Sequence, residues 1–260
     1  MCQCFLNTWY ELTADLASLF KEGLMRKAYK SQLRHALTNS VEDVSIENNK
    51  TDCFVLDGGT LIHKVRWVKD DTYQQIALCY VEYIKERFGT CCVVFDVYGK
   101  ASTKDEEHQR RRTRKTSPKV TVNEGNVIYS NQDAFLANES NKAQLISLLE
   151  KYLISAHNTV EVCPEEADTQ IVKRALEFSR QGKSVTVVAD DTDVFVLLAY
   201  HFEPKNSDIF FLSDKAKKMW SIAKIASTID PIIKNNILFY MRGQSVTRPL
   251  LFMVMEKHHL

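Results

Sequence analysis

The chain has 260 residues, 45% hydrophobic and 26% charged, enough apolar material for one sizeable core or one domain plus an appendage. Its formal net charge of +1 conceals local segregation, with basic residues crowded into one segment and acidic residues at the ends of apolar runs, so net charge points to no partner class. No run of about eighteen apolar residues occurs, and Glu11, Asp15 and Glu22 interrupt any signal-peptide core, which excludes a membrane-spanning helix and points to an intracellular protein of nucleus or cytoplasm.

Residues 7–38 read as helical, with Leu16, Leu19, Phe20 and Leu24 at 3.6-type spacing, and residues 39–51 read as a polar linker. The expected organisation is therefore a helical segment with linker over 1–50, a domain over 51–239, and a separate tail over 240–260. Within the domain, short β-branched runs at 53–56, 91–95, 184–189 and 209–212 predict strands. Between them, 72–88, 141–155 and 167–181 predict helices, the last stopped by Gly182. Strands alternating with helices imply a three-layer α/β fold, a mostly parallel sheet with helices on both faces and its site at the carboxyl ends of the strands. The seven cysteines form no CxxC pair and have no matching histidine spacing, which argues against a zinc or disulfide framework. Cys53, Cys79, Cys91 and Cys92 sit in apolar runs and read as small packed thiols of a reducing compartment.

The acidic residues are placed where such a site would lie. Asp57 follows the first strand, Asp96 the second, and Asp190, Asp191 and Asp193 the third, while Glu165, Glu166 and Asp168 open a helix behind Pro164. Each alone reads equally well as a helix cap or turn residue. Together they crowd like charges that repel strongly unless cations neutralise them. Mg²⁺ or Mn²⁺, hard and oxygen-seeking, is the natural partner, and two such ions about 4 Å apart serve phosphodiester hydrolysis. Directly after Asp96 comes a basic segment with Lys100, Lys104, Arg110, Arg111 and Arg114, suited to DNA or RNA phosphates, although alone it reads equally as a solvated face or localisation patch.

These residues resemble the flap-endonuclease branch of the PIN-like superfamily. That branch carries an aspartate after the first strand, an Asp-Gly motif followed by basic residues, an acid-Ala-acid motif opening a helix, and an Asp-x-Asp motif after the next strand. Here Asp57, Asp96, Glu166-Ala167-Asp168 and Asp191-Thr192-Asp193 match, with Val97 in place of the glycine. The resemblance implies that Asp57, Asp96, Glu166, Asp168, Asp191 and Asp193 are catalytic metal ligands, and that Arg110 and Lys104 steady the scissile phosphate. A closer resemblance, over residues 95–111, 167–172 and 187–198, is to multicopy PIN-like proteins of animal genomes associated with mobile elements. That group continues with a further aspartate after 239. Here 240–260 has no acid except Glu256, and reading its back-translation in a shifted frame restores the group's pattern, which implies a frameshift near Phe239.

The expected activity is hydrolysis by a metal-activated water, impaired if the tail is aberrant. The alternative is an inactive nucleic-acid-binding or protein-interaction module derived from such a nuclease. A phosphoaspartate enzyme fits less well, because Asp57 is followed by Gly58-Gly59 and the Asp-x-Asp comes late. A Ser/His/Asp hydrolase lacks its GxSxG elbow, and His63, His108, His157 and His201 sit in no motif.

Overall fold

Alternation of side chains across short strands decides the architecture of the computed structural model, which describes residues 20–21, 24–25, 30–39, 41–46, 50–96, 117–164, 167–231, 233–234 and 237–238. Of the helix expected over 7–38, residues 7–19, 22–23 and 26–29 lie outside the described residues, and two of the described stretches depart from it. Two-residue strands β1 (Phe20–Lys21) and β2 (Leu24–Met25) pair antiparallel, and helix α1 spans Lys30–Thr38. Gly23 lies between the two strands, and glycine disfavours a helix interior by about 1 kcal/mol relative to alanine.

The main sheet has six strands, β3 (Cys53–Asp57), β4 (Cys91–Asp96), β5 (Thr159–Cys163), β6 (Val185–Val188), β7 (Ile209–Ser213) and β8 (Lys218–Ser221), in the order β5-β4-β3-β6-β7-β8. Its first five strands are mutually parallel, and β8 returns antiparallel beside β7. The four strands expected from sequence are thus β3, β4, β6 and β7. Sequence reading missed β5, an edge strand with a weak apolar pattern, and β8, four residues reached by a tight turn with Lys217 at φ +53°.

Helices α2 (Gly58–Ile62), α3 (Tyr73–Phe88), α4 (Gln132–Leu136) and α5 (Glu139–Ser155) cover one face of the sheet. The other face carries α1, α6 (Ala167–Arg180), α7 (Thr192–His201) and α8 (Ile222–Thr228). Successive strand residues feed opposite cores: Val55 and Val187 pack toward α6 and α7, and Leu56 and Val188 toward α2 and α3. This is the expected three-layer α/β fold. Helices α3, α5 and α6 lie where periodicity placed them. Helix α3 opens on a reciprocal Thr72–Gln75 capping box, and α6 is followed by Gly182 at φ +82°, which lets Lys183 N–H bond back to the Phe178 carbonyl. Sequence reading missed α7, because Val194, Phe195, Val196, Leu198 and Ala199 are all buried and leave no polar stripe to mark a helical period.

The segment read as a linker is laid against the sheet. Val44 N–H donates to the Met219 carbonyl at 2.8 Å, and Leu33 and Leu37 of α1 are buried in the core with α7. Among the cysteines, Cys91 and Cys92 are buried and burial pushes both thiols up to about 12, whereas Cys79 is exposed on α3 rather than packed. No helix among the described residues is long and apolar enough to cross a membrane.

Candidate metal centre

Because β4, β3 and β6 are adjacent and parallel, their carboxyl ends meet at one edge of the sheet. Asp57 is the last residue of β3 and the N-cap of α2. Gly59 N–H donates to its Oδ1 at 2.8 Å and the Thr60 hydroxyl to its Oδ2 at 2.6 Å. The turn is tight: a Cβ on Gly58 would stand 2.3 Å from Phe95 Cδ1 and 2.7 Å from the Val94 carbonyl oxygen, so only glycine fits. Burial raises the Asp57 carboxyl above its ordinary range. The Thr60 and Gly59 hydrogen bonds oppose that rise, and the Asp191 charge adds to it.

Asp191 is the N-cap of α7, its Oδ1 accepting Asp193 N–H at 2.8 Å. The capping role that sequence offered as the plain reading therefore holds for both Asp57 and Asp191. The Asp191 cap uses its Oδ1, and ligand oxygens of Asp168, Asp191 and Asp193 all lie within 4.8 Å of one another. Asp168 comes from the first turn of α6 and Asp193 from the first turn of α7, helix ends whose partial positive charge helps gather carboxylates. Asp96 ends β4 on the same edge but outside this trio, with a buried Oδ1 that has no hydrogen-bond partner among the described residues. An all-carboxylate donor set with an orphaned buried oxygen beside it fits a hard divalent cation such as Mg²⁺ or Mn²⁺.

Sequence left open which of Asp190 and Asp191 faces the site, and the structure gives the two different partners. Asp190 turns toward β7, where Ser213 Oγ donates to its Oδ1 at 2.7 Å and Lys215 N–H at 3.0 Å. Glu165 and Glu166 lie outside the described residues, as do Lys100, Lys104, Arg110, Arg111 and Arg114 and the tail over 240–260.

A shallow cleft of about 380 Å³ opens at this edge, lined by Asp57, Gly59, Thr60, His63, Lys64, Asp190 and Asp191. Of its two basic residues, His63 was set aside in the sequence for want of a motif, and Lys64 escaped sequence reading. They follow Asp57 at the end of α2, a helix too short to show a period. Burial lowers the His63 imidazole pKa and the Lys142 charge lowers it further, against the pull of Asp133 and Asp57. Lys142 also escaped notice. Burial depresses its ammonium pKa while the Asp96, Asp57 and Glu139 carboxylates oppose that, which places a cationic side chain within the field of the acidic edge.

No family model matches the chain, and no curated protein matches it. Among solved structures it is similar to the catalytic core of Rad2 in complex with DNA substrate, at 15% identity and TM-score 0.42 over 74% of this chain and 53% of that one. It is also similar to the T5 D15 protein co-crystallized with metal ions, at 13% identity and TM-score 0.40 over 78% of this chain and 86% of that one. A third likeness is to a mutant of the T5 5'-exonuclease, at 12% identity and TM-score 0.38 over 66% of this chain and 53% of that one. The chain spans about half the length of the Rad2 and T5 5'-exonuclease structures.

Proposed function

We propose that this domain, with residues 51–239 as its extent, is a divalent-metal-dependent nuclease of the PIN-like, flap-endonuclease type, acting on phosphodiester bonds of DNA or RNA inside the cell. The observation that carries the reading is the convergence of Asp168, Asp191 and Asp193, from two helices, at the sheet edge where Asp57 and Asp96 also end. Residues far apart in sequence meet there, and no hydrophobic or capping requirement needs all five.

In this reading Asp168, Asp191 and Asp193 hold the first cation, while Asp57, Asp96 and Glu166 complete the carboxylate set. A bound Mg²⁺ or Mn²⁺ would supply Lewis acidity and lower the pKa of water at the phosphodiester. The chain's own contribution is orientation. Gly59 and Thr60 fix both oxygens of Asp57, and the α7 cap fixes Asp191. Lys64 in the cleft and Lys100, Lys104, Arg110, Arg111 and Arg114 of the basic segment draw the phosphate backbone toward the acids. The domain is further proposed to be kin to mobile-element-associated multicopy animal proteins, on the likeness over residues 95–111, 167–172 and 187–198, with a frameshift near Phe239 in this chain.

The test is a Mn²⁺ titration of the purified chain with labelled single-stranded and flap substrates, beside the double variant Asp191→Ala, Asp193→Ala. Metal-dependent cleavage lost in the variant is the expected result. Salt-sensitive binding with no cleavage at any Mn²⁺ concentration would overturn the nuclease reading in favour of an inactive nucleic-acid-binding descendant.

A further inference from the structure

We propose that Asp190 is a positioning residue, and that with Arg34, Lys64 and Ser213 it forms a bracket holding the Asp191–Asp193 turn in register with Asp168. The inference rests on the metal-centre reading and assigns the neighbouring acid a different task from its ligands.

Asp190 is tied on both sides of its backbone. Its Oδ1 accepts from Ser213 Oγ at 2.7 Å and from Lys215 N–H at 3.0 Å, and its Oδ2 faces Lys64 Nζ at 3.6 Å. Its main-chain carbonyl accepts from Arg34 Nη1 at 3.2 Å, across from α1. The bracket is itself braced. Ser213 is fully buried and its Oγ accepts Ala216 N–H at 3.1 Å, which leaves the hydroxyl proton directed at Asp190. Lys64 also pairs with Asp214 at 3.7 Å, and Asp214 with Arg87 at 3.5 Å.

Two consequences follow from this geometry. Asp190 lines the same cleft, but its Oδ1 takes two protein donors and its Oδ2 faces the Lys64 ammonium, a cation already in place, so it is poorly placed to serve a metal. The peptide linking it to Asp191 is pinned from α1, from the end of β7 and from the segment after α2, and Asp191 can move little relative to Asp168. Carboxylates that must meet within a few ångströms lose affinity when their support loosens, and removing such outer contacts typically costs about 10- to 100-fold in metal binding. The amino-terminal helix is thereby a working part of the site through Arg34.

The discriminating variants are Arg34→Met and Ser213→Ala in the full chain, with Mn²⁺ affinity measured by calorimetry and by the electron paramagnetic resonance signal of the free ion. Coulomb repulsion between Arg34 and the cation, acting alone, makes removal of Arg34 strengthen cation binding. The bracket makes Arg34→Met weaken it about 10- to 100-fold. Ser213→Ala, neutral in charge, tests the same point from β7 and weakens binding in the same direction. Unchanged or tighter binding in the folded variants overturns the bracket while leaving the metal centre standing. Absence of Mn²⁺ binding by the unmodified chain overturns the metal-centre reading and the bracket with it.

Discussion

Asp57 and Asp191 cap two different helices and face one another across a single cleft, and the charge on Asp191 helps hold the Asp57 carboxyl above its ordinary range. Capping and cation binding are compatible here, since each carboxylate oxygen has two lone pairs and a single donor takes only one of them.

That relationship gives a pH prediction. The folded pKa of Asp57 is raised, so ionising it costs free energy in the folded chain only. Stability is lost as pH rises from the ordinary carboxylate range through the raised value, and the loss is complete above it. Asp57→Asn keeps an oxygen for Gly59 N–H and removes the ionisation. In metal-free buffer its Tm should exceed the parent's at neutral pH, with the advantage disappearing in acid. A difference independent of pH would refute the assignment.

Cation binding should stabilise the fold by mass action. With Mn²⁺ at a hundred times its Kd, the gain is about 2.7 kcal/mol, read as a rise in Tm that chelator reverses. Asp191→Asn with Asp193→Asn should abolish the rise while leaving the metal-free melt cooperative.

The β3–α2 turn admits no side chain at its first position. Gly58→Ala would drive a methyl group into Phe95 and the Val94 carbonyl, and overpacking of this kind costs about 1–3 kcal/mol. Urea unfolding should show the loss with little change in the slope. Gly59→Ala, whose nearest foreign contact is the Asp57 carboxylate at 3.1 Å, should cost less stability but perturb Mn²⁺ affinity more.

Asn141 is fully buried and fastens the segment that follows the basic stretch. It accepts Val120 N–H at 2.9 Å and donates to Ser117 Oγ at 3.1 Å and to the Pro118 carbonyl at 3.0 Å. Asn141→Ala leaves those groups without their partner, at about 1–3 kcal/mol for each one that stays dry. Hydrogen exchange should accelerate at Val120 before it does at the β3 and β4 amides, and equal acceleration everywhere would contradict a local anchor.

Strand and helix placement in the centre of the chain was legible because its signals are local. The apolar runs of β3, β4, β6 and β7, the Thr72 cap and Gly182 each act over a few residues. So were the strand-end positions of Asp57, Asp96 and Asp191, which follow from where an apolar run stops. Elements whose surroundings decide them were not legible: α7 is apolar nearly all round because it is enclosed, β8 exists by pairing with β7, and residues 20–21 and 24–25 form a strand pair where a helix was expected. Tertiary structure alone decided that Asp190 turns to Ser213 while Asp191 meets Asp168, that His63 and Lys64 enter the cleft, and that Arg34 reaches the same edge from α1. Adjacent residues have the same local signature, and which one faces inward depends on which donors the packed elements bring to it.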